Sequence, residues 1–253
     1  MGSPVRPKRP RIVEFVGLPG AGKTTIVNLL CAGGAEWDKM EAHGRSIRFT
    51  CSPNGWGSGE QWLKSRLLTA MKIMLASLWV LTHPRLCRTV TAYAVCSSRQ
   101  PLRLAFTRLK QFFWYLAFLT WIKIYTRFIP VSADYILLDQ GVLQAMLGLD
   151  LGNVSPPVEI FDDILWPDIV VYLDVDSALA SRRVFERPSA ASRLDRMDIG
   201  SAQTLMHELK SVFDTFMRAL QSRRTVTVIT VPSREHEMPG TIAAGIVERL
   251  RGV

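Results

Sequence analysis

RIVEFVGLPGAGKTT, residues 11–25, is the stretch whose reading decides the fold. It opens on Ile12-Val13-Glu14-Phe15-Val16, an apolar and largely β-branched run that reads as a buried strand. Gly17-Leu18-Pro19-Gly20-Ala21-Gly22-Lys23-Thr24 follows, a full match to the G-x-x-x-x-G-K-[ST] phosphate-binding loop. Thr25, Ile26, Val27, Leu29 and Leu30 then begin a helical pattern. Strand, glycine loop and helix, in that order, are the context this motif needs. The glycines let the backbone turn tightly and aim its N–H groups at phosphate oxygens, and the helix N-terminus adds partial positive charge. The expected nucleotide-binding residues are Gly17, Gly20, Ala21, Gly22, Lys23, Thr24 and Thr25. Lys23 is placed to bridge the outer phosphates of ATP, and the Thr24 hydroxyl to sit on Mg²⁺.

Outward from that stretch, strands and helices alternate. Apolar runs at 135–139 (YILLD), 168–174 (DIVVYLD) and 225–231 (TVTVITV) read as buried strands, with a shorter candidate at 45–50. Helical periodicity marks 60–82, 85–97, 102–128, 141–149, 178–186, 201–221 and 241–250, with Pro84 and Pro101 opening two of them. Residues 51–59, CSPNGWGSG, form a turn-rich loop. Continuous apolar strands between helices predict an α/β fold whose parallel sheet is covered on both faces.

The chain has 253 residues, 48% of them apolar, enough for one large domain with a sizeable core. Cys31, Cys51, Cys87 and Cys96 show no metal-ligand spacing, so a reduced chain without structural zinc is expected. Residues 1–10 read as a basic, Pro-rich tail and not as a signal peptide, because the apolar run after them holds the phosphate loop. No segment has the length and apolarity of a membrane span. Residues 61–130 carry eleven Lys and Arg and no Asp or Glu; subtracting these from the net charge of +9 leaves −2 for the rest. The same segment is rich in aromatic residues, among them Trp62, Trp79, Trp114, Tyr115 and Trp121.

Two further groups carry chemistry. Asp139 ends a strand, where ligands of open α/β sheets gather, and an acid there can hold Mg²⁺ or take an acceptor's proton. Thr24 and Asp139 are therefore the expected metal residues. Arg182, Arg183, Arg187, Arg193 and Arg196 follow the strand ending at Asp174, in RRVFERPSAASRLDRM. An arginine-rich lid over residues 182–200, closing on transferring phosphates, fits that composition, against a solvated helix with local ion pairs. The expected catalytic set is Lys23, Asp139, Arg183, Arg187 and Arg193. His43, His83, His207 and His236 are scattered and read as surface or helix residues.

These residues make the chain resemble the nucleoside monophosphate kinase branch of the P-loop kinases, and within it thymidylate kinase-like proteins. The resemblance covers the phosphate loop and residues 47–60, 135–141 and 169–197. In that family the second strand runs into F-T-R-E-P-G-G-T; here it reads Phe49-Thr50-Cys51-Ser52-Pro53-Asn54-Gly55-Trp56, with Gly59-Glu60 after it. The family's third strand ends D-R, where this chain has Asp139-Gln140, and its lid ends in a D-R pair, matched by Asp195-Arg196. The resemblance implies a three-layer P-loop kinase fold with ATP and Mg²⁺ as cofactors, and a kinase domain over residues 11–253 with residues 61–130 as a helical insertion. Cys51 and Gln140 stand where the family places phosphate-gripping arginines. Neither can form an arginine's bidentate fork, so thymidylate itself is not expected as acceptor.

The expectation is a cytoplasmic, ATP-dependent phosphotransferase acting on a nucleotide or other small-molecule acceptor. The alternatives are an ATPase switch or a catalytically degenerate scaffold. The N-K-x-D motif of a GTPase and the L-S-G-G-Q signature of a transporter ATPase are both absent. Three readings stay open for residues 61–130: a helical subdomain with an apolar core and cationic exterior, a pocket for an anionic or amphipathic acceptor, or a patch for a membrane surface or nucleic acid, of which tryptophan-bearing basic helices favour the membrane. No nucleic-acid-binding module is recognisable, and a homodimer is left open.

Overall fold

The structure is a computed structural model that describes residues 9–32, 49–51, 61–96, 102–128, 133–149, 166–186, 198–222 and 226–253. In chain order these form β1 (Arg11–Gly17), α1 (Lys23–Ala32), β2 (Phe49–Cys51), α2 (Gln61–Thr82), α3 (Pro84–Cys96), α4 (Leu102–Phe128), β3 (Tyr135–Leu138), α5 (Val142–Leu149), β4 (Ile169–Val175), α6 (Ser177–Phe185), α7 (Ile199–Gln221), β5 (Thr227–Ser233) and α8 (Pro239–Arg251).

The strands form one five-stranded sheet in the order β2-β3-β1-β4-β5, and every pairing is parallel. β1 is central, in register with β3 from Arg11↔Tyr135 to Glu14↔Leu138 and with β4 from Val13↔Ile169 to Gly17↔Leu173. Six of the seven residues of β1, all of β3 and six of the seven of β4 are buried. Side chains alternate between sheet faces, so unbroken burial means that helices cover both. α1 packs beside α8, α6 beside α7, and α4 beside α5.

Local chemistry sets the helix ends. Asp176 caps α6, accepting from the Ala178 and Leu179 N–H groups at 2.9 and 3.2 Å. Asp198 caps α7 by accepting from the Ser201 N–H at 2.9 Å. Pro84 and Pro239 each stand first in a helix, where a missing N–H costs nothing. α2, α3 and α4 lie between β2 and β3 in the chain and pack on one another. They are tied back to the sheet by Lys123 Nζ, which donates to the Trp166 carbonyl at 2.5 Å just before β4.

The cysteine expectation needs correction. Cys31, in the last turn of α1, is disulfide-bonded, whereas Cys87 is a free thiol. Absence of ligand spacing argues against a metal site but does not say which cysteines folding brings together. Residues 1–8, most of the tail, and residues 45–48 of the second strand candidate lie outside the described residues.

Candidate active site

The glycine loop leaves β1 at the centre of the sheet, where connections on one side run to β3 and β2 and on the other to β4 and β5. Ligands of open parallel sheets bind at this reversal, beyond the strand C-termini. The loop is held from below. Gly20 has φ +85°, and a Cβ there would lie 2.3 Å from the Ala180 carbonyl oxygen and 3.1 Å from Val184, so the loop rests directly on α6. Gly22 has φ +87° and faces open space. Lys23 reaches back over the loop, its Nζ donating to the carbonyls of Gly17 at 2.7 Å and Leu18 at 3.0 Å.

Thr24 is the second residue of α1, and its hydroxyl donates to Asp139 Oδ2 at 3.4 Å. The two are 115 residues apart in sequence. They meet because Asp139 directly follows β3, the strand next to β1. Asp174, near the end of β4, is engaged by Lys210 at 2.8 Å. Among the described residues no group of three His, Cys, Asp or Glu is placed to hold a metal ion.

Beneath the loop lies an arrangement that the sequence reading missed. Glu14 is fully buried in β1, and burial pushes its carboxyl up to about 8, against the lowering effect of the backbone N–H groups of Gln144, Leu143 and Val142. Glu14 Oε1 accepts from the Gln144 N–H at 3.1 Å, while Oε2 has no hydrogen-bond partner among the described residues. Gly141 makes room for it: a Cβ there would come within 2.4 Å of the Glu14 carboxyl. The Gln144 side chain in turn accepts from the Gly17 N–H at 3.4 Å. Glu14 thus seats the first turn of α5, and α5 touches the first residue of the phosphate loop. An acid inside an otherwise apolar strand was the one available signal; nothing local marks Gln144.

Gln140 is also committed. Its Oε1 accepts from the Tyr115 hydroxyl at 2.7 Å. Tyr115 is on α4, and its phenol is raised by burial first and then by the nearby Asp139 and Glu14 charges. The helical insertion therefore reaches the residue that follows the strand acid. Cys51 is in register with Leu137, two residues before Asp139, so the end of β2 borders the same edge.

Of the expected site residues, the structure brings together the loop, Lys23, Thr24 and Asp139. Arg183 Nη2 donates to the Arg234 carbonyl at 3.5 Å, and Arg182 pairs with Glu235 at 2.5 Å, both toward the connection between β5 and α8. Arg187 and Arg193, the rest of the lid core and the 52–60 loop lie outside the described residues.

No protein-family model matches the chain, and no curated protein sequence matches it significantly. Among solved structures it is similar to deoxyadenosine kinase from M. mycoides. With dATP bound, that structure aligns at a TM-score of 0.46 and 14% identity, over 95% of this chain and 99% of the other. The form with the products dCMP and a flexible dCDP aligns at 0.42 and 17%, and the form with dCTP at 0.41 and 17%, each over 96% of this chain and all of the other. The fold is α/β, with a parallel five-stranded sheet and a glycine loop that joins its central strand to α1. Ligands of open parallel sheets gather beyond the strand C-termini, the edge where the glycine loop and Asp139 lie.

Proposed function

We propose that the chain is an ATP-dependent phosphotransferase moving the γ-phosphate of ATP to a nucleotide or other small-molecule acceptor, and not to thymidylate. The observation that carries this reading is the meeting of Thr24 and Asp139 at 3.4 Å, beside a lysine already anchored on the glycine loop. The N–H groups from Gly20 to Thr25 bind phosphate oxygens, and Lys23 adds a point charge at the β- and γ-phosphates. Thr24 and Asp139 offer two hard oxygen donors within hydrogen-bond distance, the chemistry that suits Mg²⁺, and those two residues would hold it. Bound there, the ion would supply charge neutralisation to the transferring phosphates. Asp139 also orients the acceptor's hydroxyl. Arg187 and Arg193 act from the lid, spreading charge over the transferred group and excluding water.

The acceptor lies between the end of β3 and the helical insertion. There it meets the neutral Gln140–Tyr115 pair instead of an arginine fork. The insertion's charge favours an anionic or amphipathic acceptor. The enzyme works in the cytoplasm. Association with a second copy is not needed for any of these roles.

The test is ATP turnover against a panel of nucleotides, sugars and lipid head groups. Turnover that depends on one acceptor is the expected result. Hydrolysis unaffected by every acceptor would instead indicate a switch, and ATP binding without turnover a scaffold.

A further inference from the structure

α2 carries an apolar face that no described residue covers. Ala70, Ile73, Met74, Ser77, Leu78 and Leu81 follow the spacing of one helical stripe, and all six are exposed. Ile73 is 54%, Met74 62%, Leu78 52% and Leu81 78% exposed. The helix is not simply rotated the wrong way. Its opposite face is spent on the fold, with Leu75 buried and the Trp79 indole donating to Thr120 Oγ1 of α4 at 2.8 Å. A helix that is apolar all round is ordinarily enclosed, so the outer stripe needs an environment of its own. The stripe from residue 70 to residue 81 is roughly 16 Å long at helical rise.

Charge says what that environment is. Residues 73–84 contain no charged side chain, and Lys72 and Arg85 bound them. The corner after α2 is rigid: Trp79 stacks on His83 at 4.1 Å between ring centroids, and Thr82 Oγ1 and His83 Nδ1 are hydrogen-bonded at 2.8 Å. This holds α3, with Arg85 and Arg88 exposed, directly after Leu81. Residues 61–130 contain no Asp or Glu. A second copy would bring like charge against like charge. No described helix is long and apolar enough to cross a membrane.

We propose that the α2 face lies on an anionic lipid surface, with Met74, Leu78 and Leu81 in the acyl boundary and Arg85 and Arg88 among the head groups. Apolar stripe and flanking cations are the two components of reversible interfacial binding. This inference is independent of the catalytic reading, and its test reads binding alone.

The experiment is co-sedimentation of the full chain with phosphatidylcholine vesicles, with and without phosphatidylglycerol as a third of the lipid, at low and high salt. Binding to the anionic vesicles only, weakened by salt, is expected. Met74→Ser/Leu78→Ser/Leu81→Ser should weaken partitioning by at least about tenfold, with far-ultraviolet circular dichroism unchanged because the three side chains are exposed. Arg85→Glu/Arg88→Glu should remove the preference for anionic lipid. Recovery in the supernatant with both vesicle types at low salt overturns the proposal. So does equal binding to neutral and anionic vesicles, or equal binding by wild type and the triple variant. A dimer in light scattering that the triple variant dissociates, without vesicle binding, would assign the face to self-association instead.

Discussion

Lys23 and Glu14 illustrate opposite uses of charge at the residue scale. Lys23 is held over the loop by two carbonyls. Lys23→Ala should lower ATP affinity or turnover by at least about tenfold, worth about 1.4 kcal/mol. Titration calorimetry showing unchanged binding, together with unchanged turnover, would contradict the loop assignment. Glu14 is kept largely neutral by burial, pushed up to about 8 from an ordinary value of 4.5. Between those values the folded chain holds a proton that the unfolded chain has lost. Its contribution to stability is therefore full below about 4.5, falls as pH rises, and is gone above about 8. The slope within that window reaches about 1.4 kcal/mol per pH unit. Glu14→Gln keeps an oxygen for the Gln144 N–H and cannot ionise, so urea unfolding should show a flatter stability profile across the window. An unchanged slope would mean that another group titrates there.

At the scale of elements, the loop and α6 are fitted to each other. Gly20 and Gly22 both hold positive φ, but only Gly20 has backbone against it, with the Ala180 carbonyl where a Cβ would go. Gly22→Ala should cost the left-handed conformation alone, about 1–2 kcal/mol. Gly20→Ala adds a clash with helix backbone that no side-chain rotation relieves, so its loss of thermal stability and of ATP binding should be clearly larger. Equal melting temperatures for the two variants would show that the loop does not rest on α6 as described. The same logic applies to α5 and β1: Gly141 admits the Glu14 carboxyl, and α5 passes that contact on to Gly17 through Gln144.

At the scale of the whole molecule, the edge that carries the glycine loop and Asp139 meets the helices of residues 61–128. The insertion contributes Tyr115, which holds Gln140 at the end of β3. Neutral amide and phenol groups cannot grip a phosphate as a guanidinium fork does. A coupled assay should therefore find thymidylate a poor acceptor, and efficient turnover of thymidylate would overturn the acceptor half of the proposed function. The uneven charge belongs to this scale too. Eleven cations without an acid fall within residues 61–130.

By itself the sequence determined the phosphate loop and the run of strands and helices. Excluding the second strand, the expected elements whose limits were stated match the described ones to within two residues at either end. These are local properties: glycine spacing, apolar periodicity and proline at helix starts act over a few residues and are legible without a partner. Asp139 was also legible, because an acid at the end of an apolar strand needs only that strand to be recognised. Tertiary structure alone decided the order β2-β3-β1-β4-β5, and with it the meeting of Thr24 and Asp139. It alone placed Gln144 on Gly17 and Tyr115 on Gln140, and left the α2 stripe facing outward while Trp79 turned inward. The physical reason is that an apolar residue declares that it will be buried but not against what. Partners distant in the chain are chosen by the packing of all elements together, and no local pattern encodes that choice.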